Sequence, residues 1–348
     1  MRSRNGWTAL AALVLTLAAG FAHAGDVVLR LHHMLPGNAI IVRQAMLPWA
    51  RQVEEQSGGR IRIEFHHAMQ LGGQPMDLVD QVQRGDVELA WTVLGYTPGR
   101  FPKSEAFELP FMMSSAETGS MAFQDYYEKN LTDEMADVHV IAVHVHGPGV
   151  LHMRKDIAIR KIEDLAGLKI RGASRMVNAM LEAEGALPVI TAVTSVPGAL
   201  KSGFIDGAVA PWEVTPAIDL ANLAPNHTEL ASSRGFYSAT FMLAMNKKTY
   251  EALPDDLKKV IDANSGLLVA QSFGRAMDEG DRLGRDIADK AGNKTITLDA
   301  AETARWEALG QKVKVKWISE MKARGIDGDA LVRDAVSLID ARRKPGKS

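Results

Sequence analysis

The sequence predicts an α/β protein built from two lobes, and three observations support this. The chain has 348 residues, of which 46% are apolar and 24% charged, and about 150 residues per domain suggests two domains. Residues 27–32 alternate as a strand, an amphipathic helix follows, and residues 60–66 alternate again, an order that favours a parallel sheet. The run 82–87 matches the run 200–205 in residue type and order, which fits a second lobe of similar construction.

The helix that follows the first strand has apolar residues at the helical period, and Gly58-Gly59 ends it. Pro48 lies inside this pattern and predicts a kink or a restart of the helix. A second amphipathic helix over residues 76–84 is stopped by Gly85, and a strand over residues 87–93 follows.

The second lobe is predicted to open near the Gly-Pro-Gly run at 147–149. A strand over residues 169–171 precedes a helix whose N-cap is Ser174. Beyond Pro254 the pattern is mainly helical. The other features of this region are a break at 292–297, a capping-box pattern of Asp299 with Glu302, and a basic tail over 341–348.

The charge balance and the absence of cysteine exclude several classes of function. Lysine and arginine total 40 against 42 for aspartate and glutamate, and no long basic run occurs, so nucleic acid is not an expected partner. With no cysteine, the chain has no disulfide framework, thiol nucleophile, cysteine-ligated zinc or iron–sulfur cluster.

Residues 1–24 have the pattern of a secretory signal peptide. Arg2 and Arg4 precede an apolar run at 7–19, and the small residues Ala22 and Ala24 predict cleavage after position 24. A membrane anchor is the alternative, but the run is shorter than the roughly 20 residues that span a bilayer. We therefore expect export from the cytoplasm as a soluble protein.

Histidines supply the candidate metal ligands of this sequence, and catalytic motifs are missing. Three donors must converge on one ion, and no HExxH or comparable spacing occurs, so structural histidines are the favoured interpretation. His33 is kept as a candidate ligand-binding residue because it ends a strand of an open α/β sheet. The chain has no GxSxG and no glycine-rich phosphate loop, which disfavours an enzyme. The histidines considered are His139, His144, His146 and the doublets His32-His33 and His66-His67.

Arg171 is the main candidate for binding a ligand. It ends the strand in the run GLKIRG at 167–172, directly before a helix N-terminus, where its guanidinium can pair with a carboxylate through two parallel hydrogen bonds. A solvated arginine at a strand end is the competing interpretation. Arg154 and Arg175 are weaker candidates of the same kind, and Trp212 is expected in the core by base rate.

Six runs of the sequence are informative when they are taken together, and they are SGGRI at 57–61, QLGG at 70–73, FELPF at 107–111, EDLAGLKIR at 163–171, ALKSGFIDGA at 199–208 and MNK at 245–247. With these runs in this order, the chain resembles one protein family, the solute-binding proteins of tripartite ATP-independent periplasmic (TRAP) transporters, DctP type. The resemblance implies two α/β lobes, a cleft that closes on the ligand and a long helix spanning both lobes. The lobes would be residues 25–147 with 238–281, and 148–237 with 282–340.

The resemblance also assigns roles to residues of this chain. Arg171 falls where most members pair an organic acid, Leu151 stands near the place of a second family arginine with Arg154 as its substitute, and Ala210 replaces a ligand-touching asparagine. Leu94 falls near a polar contact of sugar-acid binders. The remaining pocket residues would be Trp212, Tyr96 and Met69, which favours an aromatic or short apolar monocarboxylate over a sugar acid.

On this interpretation the partners are a small carboxylate and the small and large TRAP membrane subunits, and neither a cofactor nor a metal is required. Two other hypotheses stay open at this point. One is a secreted histidine-based metal-binding protein or metallohydrolase, and the other is a purely structural partner protein.

Overall fold

The computed structural model describes residues 27–343, and within them the strands form two separate sheets. The first sheet has the order β2-β1-β3-β10-β4 and the second has the order β11-β9-β5-β8-β6-β7. The strands are β1 Val27–His33, β2 Ile61–His66, β3 Leu89–Val93, β4 Val138–Val145, β5 Val150–Met153, β6 Lys169–Gly172, β7 Leu187–Ile190, β8 Gly207–Ala210, β9 Asn226–Leu230, β10 Thr240–Asn246 and β11 Lys294–Leu298.

Helices cover both sheets, as an α/β architecture requires. Short turns of other helix types lie at Val42–Met46, Leu94–Tyr96 and Trp212–Ile218. The α-helices are α1 Leu47–Gln56, α2 Leu78–Arg84, α3 Ala116–Asn130, α4 Arg175–Ala183, α5 Val196–Lys201, α6 Leu220–Leu223, α7 Lys247–Ala252, α8 Asp255–Ala263, α9 Leu267–Lys290, α10 Ala300–Ala323 and α11 Gly328–Arg342.

The first lobe is the sheet that contains β1, together with the helices packed on it. β1 pairs in parallel with β2 and with β3, which confirms the strand–helix–strand order expected from the sequence. β10 enters this sheet from far along the chain and pairs antiparallel with β3 and β4. Apolar residues fill all seven positions of β10 but two, and every one of the seven is buried, as expected for a central strand.

The second lobe is the sheet that contains β6. β6 pairs in parallel with β7 and β8, while β5 runs antiparallel to β8 and β9. The chain passes between the lobes over residues 146–149, over residues 231–239 and along α9. The expected two-lobed α/β fold with a long shared helix is therefore confirmed.

Two local predictions are confirmed and one element was missed. Pro48 lies in the first turn of α1, where the helix restarts after a π-helical turn, and Gly85 ends α2 in the left-handed conformation at φ 80°. The segment 292–297, expected only as a break between helices, contains β11, which pairs in parallel with β9.

Helix α9 packs closely against both lobes. A Cβ on Gly274 would lie 2.5 Å from the Ala116 carbonyl oxygen in the first lobe, and one on Gly284 would lie 2.0 Å from the Trp212 carbonyl oxygen in the second. Only glycine allows such an approach of two backbones. At these two glycines the main chain of α9 therefore lies directly against the main chain of each lobe.

Two aspartates of α9 also hold a helix N-terminus in each lobe. Asp278 accepts the backbone N–H groups of Ala116 (2.7 Å) and Glu117 (2.9 Å) at the start of α3. One turn later, Asp281 accepts the N–H of Glu213 (2.8 Å) in the second lobe. Carboxylates at helix N-termini satisfy donors that have no partner inside the helix.

The lobe boundaries given above stay a prediction, and α11 is the element that bears on them. This helix was placed with the second lobe, and it packs against α3 of the first lobe, while α10 packs on α4 of the second.

Within residues 27–343 no helix has the length and apolar character needed to cross a membrane. The expected signal peptide, and residues 344–348 of the basic tail, lie outside the described residues.

Candidate ligand-binding site

A cavity with about 420 Å³ of space between its lining atoms lies between the lobes. Most of the lining side chains are apolar or aromatic. The first lobe contributes Trp91, Tyr96 and Phe241 among others, and the second contributes Arg171, Val193 and Pro211.

Arg171 reaches the cavity from the carboxyl end of β6 and is held by three hydrogen bonds. Its Nε donates to the Thr191 carbonyl (2.9 Å), Nη1 donates to the Val209 carbonyl (3.1 Å), and Nη2 donates to the Tyr96 hydroxyl (3.0 Å). A guanidinium has five N–H donors, so one N–H on each terminal nitrogen is left for a ligand. These two donors match the two oxygens of a carboxylate.

The positive charge of Arg171 is buried without a carboxylate partner. The side chain is 1% exposed, and no aspartate or glutamate among residues 27–343 lies within ion-pair distance of it. A buried charge without a counter-ion costs several kcal/mol. The cavity is therefore built to take up an anion.

Tyr96 of the first lobe contacts the second lobe through its hydroxyl. The oxygen accepts hydrogen bonds from Arg171 Nη2 and from the backbone N–H of Val193 (2.9 Å). The hydroxyl hydrogen has no recorded acceptor within the described chain, so it adds a donor beside the guanidinium.

The aromatic wall of the cavity is fixed by stacking. Trp91 stacks on Phe241 with ring centroids 5.0 Å apart, and its Nε1 donates to His144 Nε2 (2.8 Å). Burial lowers the pKa of His144 to about 3, so this histidine is neutral and acts as an acceptor. The wall presents flat rings held in one position.

His146 and Glu213 are polar groups of the cavity that sequence reasoning did not place in a ligand site. His146 Nε2 accepts the Ala239 N–H (3.0 Å) and Nδ1 donates to the Gly147 carbonyl, so both ring nitrogens are occupied. Burial lowers the pKa of His146 to about 4 and raises that of Glu213 to about 7. The only sequence signal for Glu213 was its position next to Trp212.

Of the nine residues named from the sequence, the structure places Arg171 and Tyr96 on the cavity. Arg175 instead lies in a second groove, where it pairs with Glu105 and Glu320. Arg154, directly after β5, pairs at 3.3 Å with Asp206, directly before β8. Their charges are therefore already compensated.

The other named residues lie beside the cavity or away from it. The Trp212 indole donates to Glu229 (2.6 Å) and carries the Arg285 guanidinium 5.3 Å above its ring, although its neighbours Pro211 and Glu213 line the cavity. Four more residues contribute no lining atom to this cavity: Leu94 and Ala210, which are buried, Met69, which is half-buried, and His33, whose Nε2 lies 2.9 Å from His67 Nδ1.

The histidines do not converge on a metal position in the part of the chain that the structure describes. No group of three or more histidine, aspartate or glutamate side chains there is arranged to hold a metal ion. Instead, histidines hydrogen-bond to each other in pairs. His33 Nε2 bonds to His67 Nδ1, and His152 Nδ1 lies 2.8 Å from His227 Nδ1.

A cavity between two lobes, lined by an uncompensated cation and by stacked rings, is typical of a protein that binds a small organic anion. The sequence model of the DctP family, described as bacterial extracellular solute-binding protein, family 7, matches residues 31–320. The chain belongs to this family and is a TRAP solute-binding protein.

Two solved structures of TRAP solute-binding proteins agree with this assignment, and one curated relative is similar over most of the chain. A TRAP solute-binding protein from a marine metagenome, specific for aromatic acid ligands and complexed with 3-hydroxybenzoate, is 43% identical, covering 92% of this chain and 100% of that chain, with a TM-score of 0.90. One from Rhodoferax ferrireducens T118, with copurified benzoate, is 42% identical over 91% and 98%, with a TM-score of 0.89. The outer membrane transporter protein TsaT of Comamonas testosteroni is 25% identical over 91% and 93%.

Proposed function

We propose that this protein is the periplasmic receptor for an aromatic monocarboxylate, which it delivers to the membrane subunits of a TRAP transporter. The observation that carries the proposal is the buried guanidinium of Arg171, which has two unused donors and no carboxylate partner in the described chain. An incoming carboxylate would supply both the charge and the acceptors that this side chain lacks.

The aromatic class of the acid is supported by the cavity wall and by the relatives. The rings of Trp91 and Phe241 present flat apolar surface, and aromatic groups gain from stacking on such rings. Two structures at 42–43% identity hold benzoate and 3-hydroxybenzoate, and a Bordetella bronchiseptica protein at 27% identity holds mandelate. A sugar acid would leave several hydroxyls unpaired against this wall, at about 1–3 kcal/mol each.

Binding and closure form the whole of the proposed mechanism, with no covalent step. The ligand carboxylate pairs with Arg171 of the second lobe while its ring lies against Trp91 of the first, so the ligand favours the closed arrangement over an open one. The closed form then carries the acid to the membrane subunits. The protein thus acts as a carrier and not as an enzyme.

The test is calorimetric titration of the exported protein with benzoate. We expect wild type to bind, and Arg171→Lys, which keeps the charge but loses the planar pair of donors, to bind roughly 30- to 100-fold more weakly, the equivalent of about 2–3 kcal/mol. Arg305→Lys, at a half-exposed arginine of α10, is the matched control and should bind as wild type does. A wild type that binds no aromatic acid, or an Arg171→Lys variant within threefold of wild type, would overturn the proposal.

A further inference from the structure

Glu213 lines the cavity, and it takes no part in the proposed pairing of a ligand carboxylate with Arg171. It follows β8 in the turn Trp212–Ile218 and is 3% exposed. Its Oε1 accepts the Ile41 N–H of the first lobe at 3.3 Å, whereas Oε2 has no hydrogen-bond partner recorded among residues 27–343. One carboxyl oxygen is thus available inside the cavity.

At pH 6 the buried carboxyl of Glu213 is mostly protonated and therefore mostly uncharged. The titratable group facing it is Asp281 of α9, which accepts the Glu213 N–H, and no lysine or arginine pairs with Glu213 within the described chain. Burial raises the pKa of Glu213 to about 7 and holds that of Asp281 well above its usual value. A neutral carboxyl both donates and accepts a hydrogen bond.

The position of the Glu213 side chain is fixed by α9. A Cβ on Gly280 would lie 2.4 Å from Glu213 Cγ and 3.2 Å from Ile40 Cγ2, so the side chain is packed between the helix and the first lobe. Glu213 and Arg171 both line the cavity, and no ion pair joins them among the described residues.

We propose that Glu213 is the specificity-determining residue for a hydroxyl group on the ring of the bound acid, at a position away from its carboxylate. The inference rests on the proposed function, because the carboxylate must first be placed at Arg171. A phenolic hydroxyl is uncharged at neutral pH, and it can accept a hydrogen bond from the protonated carboxyl of Glu213 or donate one to Oε2. A second carboxylate or a sugar ring would not match this single buried group.

The experiment measures one ratio, the Kd for benzoate divided by the Kd for each of 2-, 3- and 4-hydroxybenzoate, by calorimetry at pH 6. In wild type we expect this ratio to be about ten or more for at least one hydroxy acid, which corresponds to one net hydrogen bond. Glu213→Gln, which still donates and accepts, should keep the ratio within about threefold. Glu213→Met should bring it to about one.

Glu184→Gln is the matched control, since Glu184 is another buried glutamate that lines no part of this cavity, and its ratio should equal that of wild type. Benzoate binding by wild type with a ratio near one for every hydroxy acid would overturn the role of Glu213 and leave the proposed function standing. A Glu213→Met variant that keeps the wild-type ratio would do the same. Absence of binding by every acid would overturn both proposals.

Discussion

The hydroxyl of Tyr96 lies 3.0 Å from Nη2 of Arg171, and this hydrogen bond joins the first lobe to the second at the place where a ligand carboxylate would bind. The same hydroxyl accepts the Val193 N–H at 2.9 Å. One phenol therefore orients the guanidinium and ties the lobes together. Under the proposed function, ligand recognition and lobe closure would share this side chain.

Replacing Tyr96 tests this shared role. Tyr96→Phe removes two accepted hydrogen bonds and one available donor, so we expect the Kd for benzoate to rise about tenfold or more. Tyr250→Phe, whose hydroxyl bonds to exposed Asp262, is the control and should leave the Kd unchanged. Equal affinities for Tyr96→Phe and wild type would show that the hydroxyl makes no difference to binding.

The ion pair between Arg175 and Glu105 joins the two lobes, and its removal should lower ligand affinity indirectly. Arg175 of the second lobe donates from Nε to Glu105 of the first lobe at 2.9 Å, and Trp317 Nε1 donates to the same carboxylate at 2.8 Å. Arg175→Met would leave Glu105 without its cation and weaken the closed form. We expect the Kd of every bound acid to rise by the same factor, measured across the benzoate series. Losses that differ among the acids would instead indicate direct contact with the ligand.

Close packing along α9 predicts a large loss of stability at Gly284. An alanine there would place its Cβ 2.0 Å from the Trp212 carbonyl oxygen, and the backbones must separate to accommodate it. We expect Gly284→Ala to lower the free energy of unfolding by about 1–3 kcal/mol in a denaturant titration. Gly198→Ala in α5 is the matched control, because no atom lies within 4 Å of its Cβ position. A loss no larger than in the control would contradict the packing.

Stability should fall in acid because His144 is buried in its neutral form. Burial lowers its pKa to about 3 from 6.5 in the unfolded chain, so the unfolded state binds the proton first. Above pH 6.5 protonation of His144 therefore costs no stability. As the pH falls from 6.5 toward 3, the free energy of unfolding decreases by about 1.4 kcal/mol per pH unit because of this group.

The variant His144→Gln keeps an acceptor for the Trp91 indole but does not titrate. Denaturant titrations between pH 4 and pH 6 should show a slope smaller by about 1.4 kcal/mol per pH unit than in wild type. Above pH 7 the two proteins should have parallel pH dependence. Parallel curves in the acid range as well would mean that His144 does not cause the loss.

The sequence predicted the fold class and the position of Arg171 because both depend on local patterns. Alternation and helical periodicity locate β1, β2 and α2 within the first lobe, and the run at 167–172 places an arginine at a strand end. β11 escaped prediction because its alternation is short and it forms by pairing with β9, which is distant in the chain.

The same limit explains the site. Arg171 and Arg175 both stand near the start of α4, and only long-range partners separate them: Arg175 pairs with Glu105 and Glu320, which lie 70 and 145 residues away. Trp212 and Glu213 are neighbours in sequence, and the turn at Trp212–Ile218 directs one to Glu229 and the other to the cavity. Local spacing carries no information about either choice.

The two aspartates on α9 have a mechanical consequence for ligand release. Asp278 accepts a backbone hydrogen bond from the start of α3, and Asp281 accepts one from Glu213. The two aspartates are only one helical turn apart on α9. Sliding of either lobe along the helix would break these backbone hydrogen bonds, whereas rotation about this short stretch would preserve them. We therefore expect the stretch 278–281 to act as the pivot about which the lobes rotate when they separate.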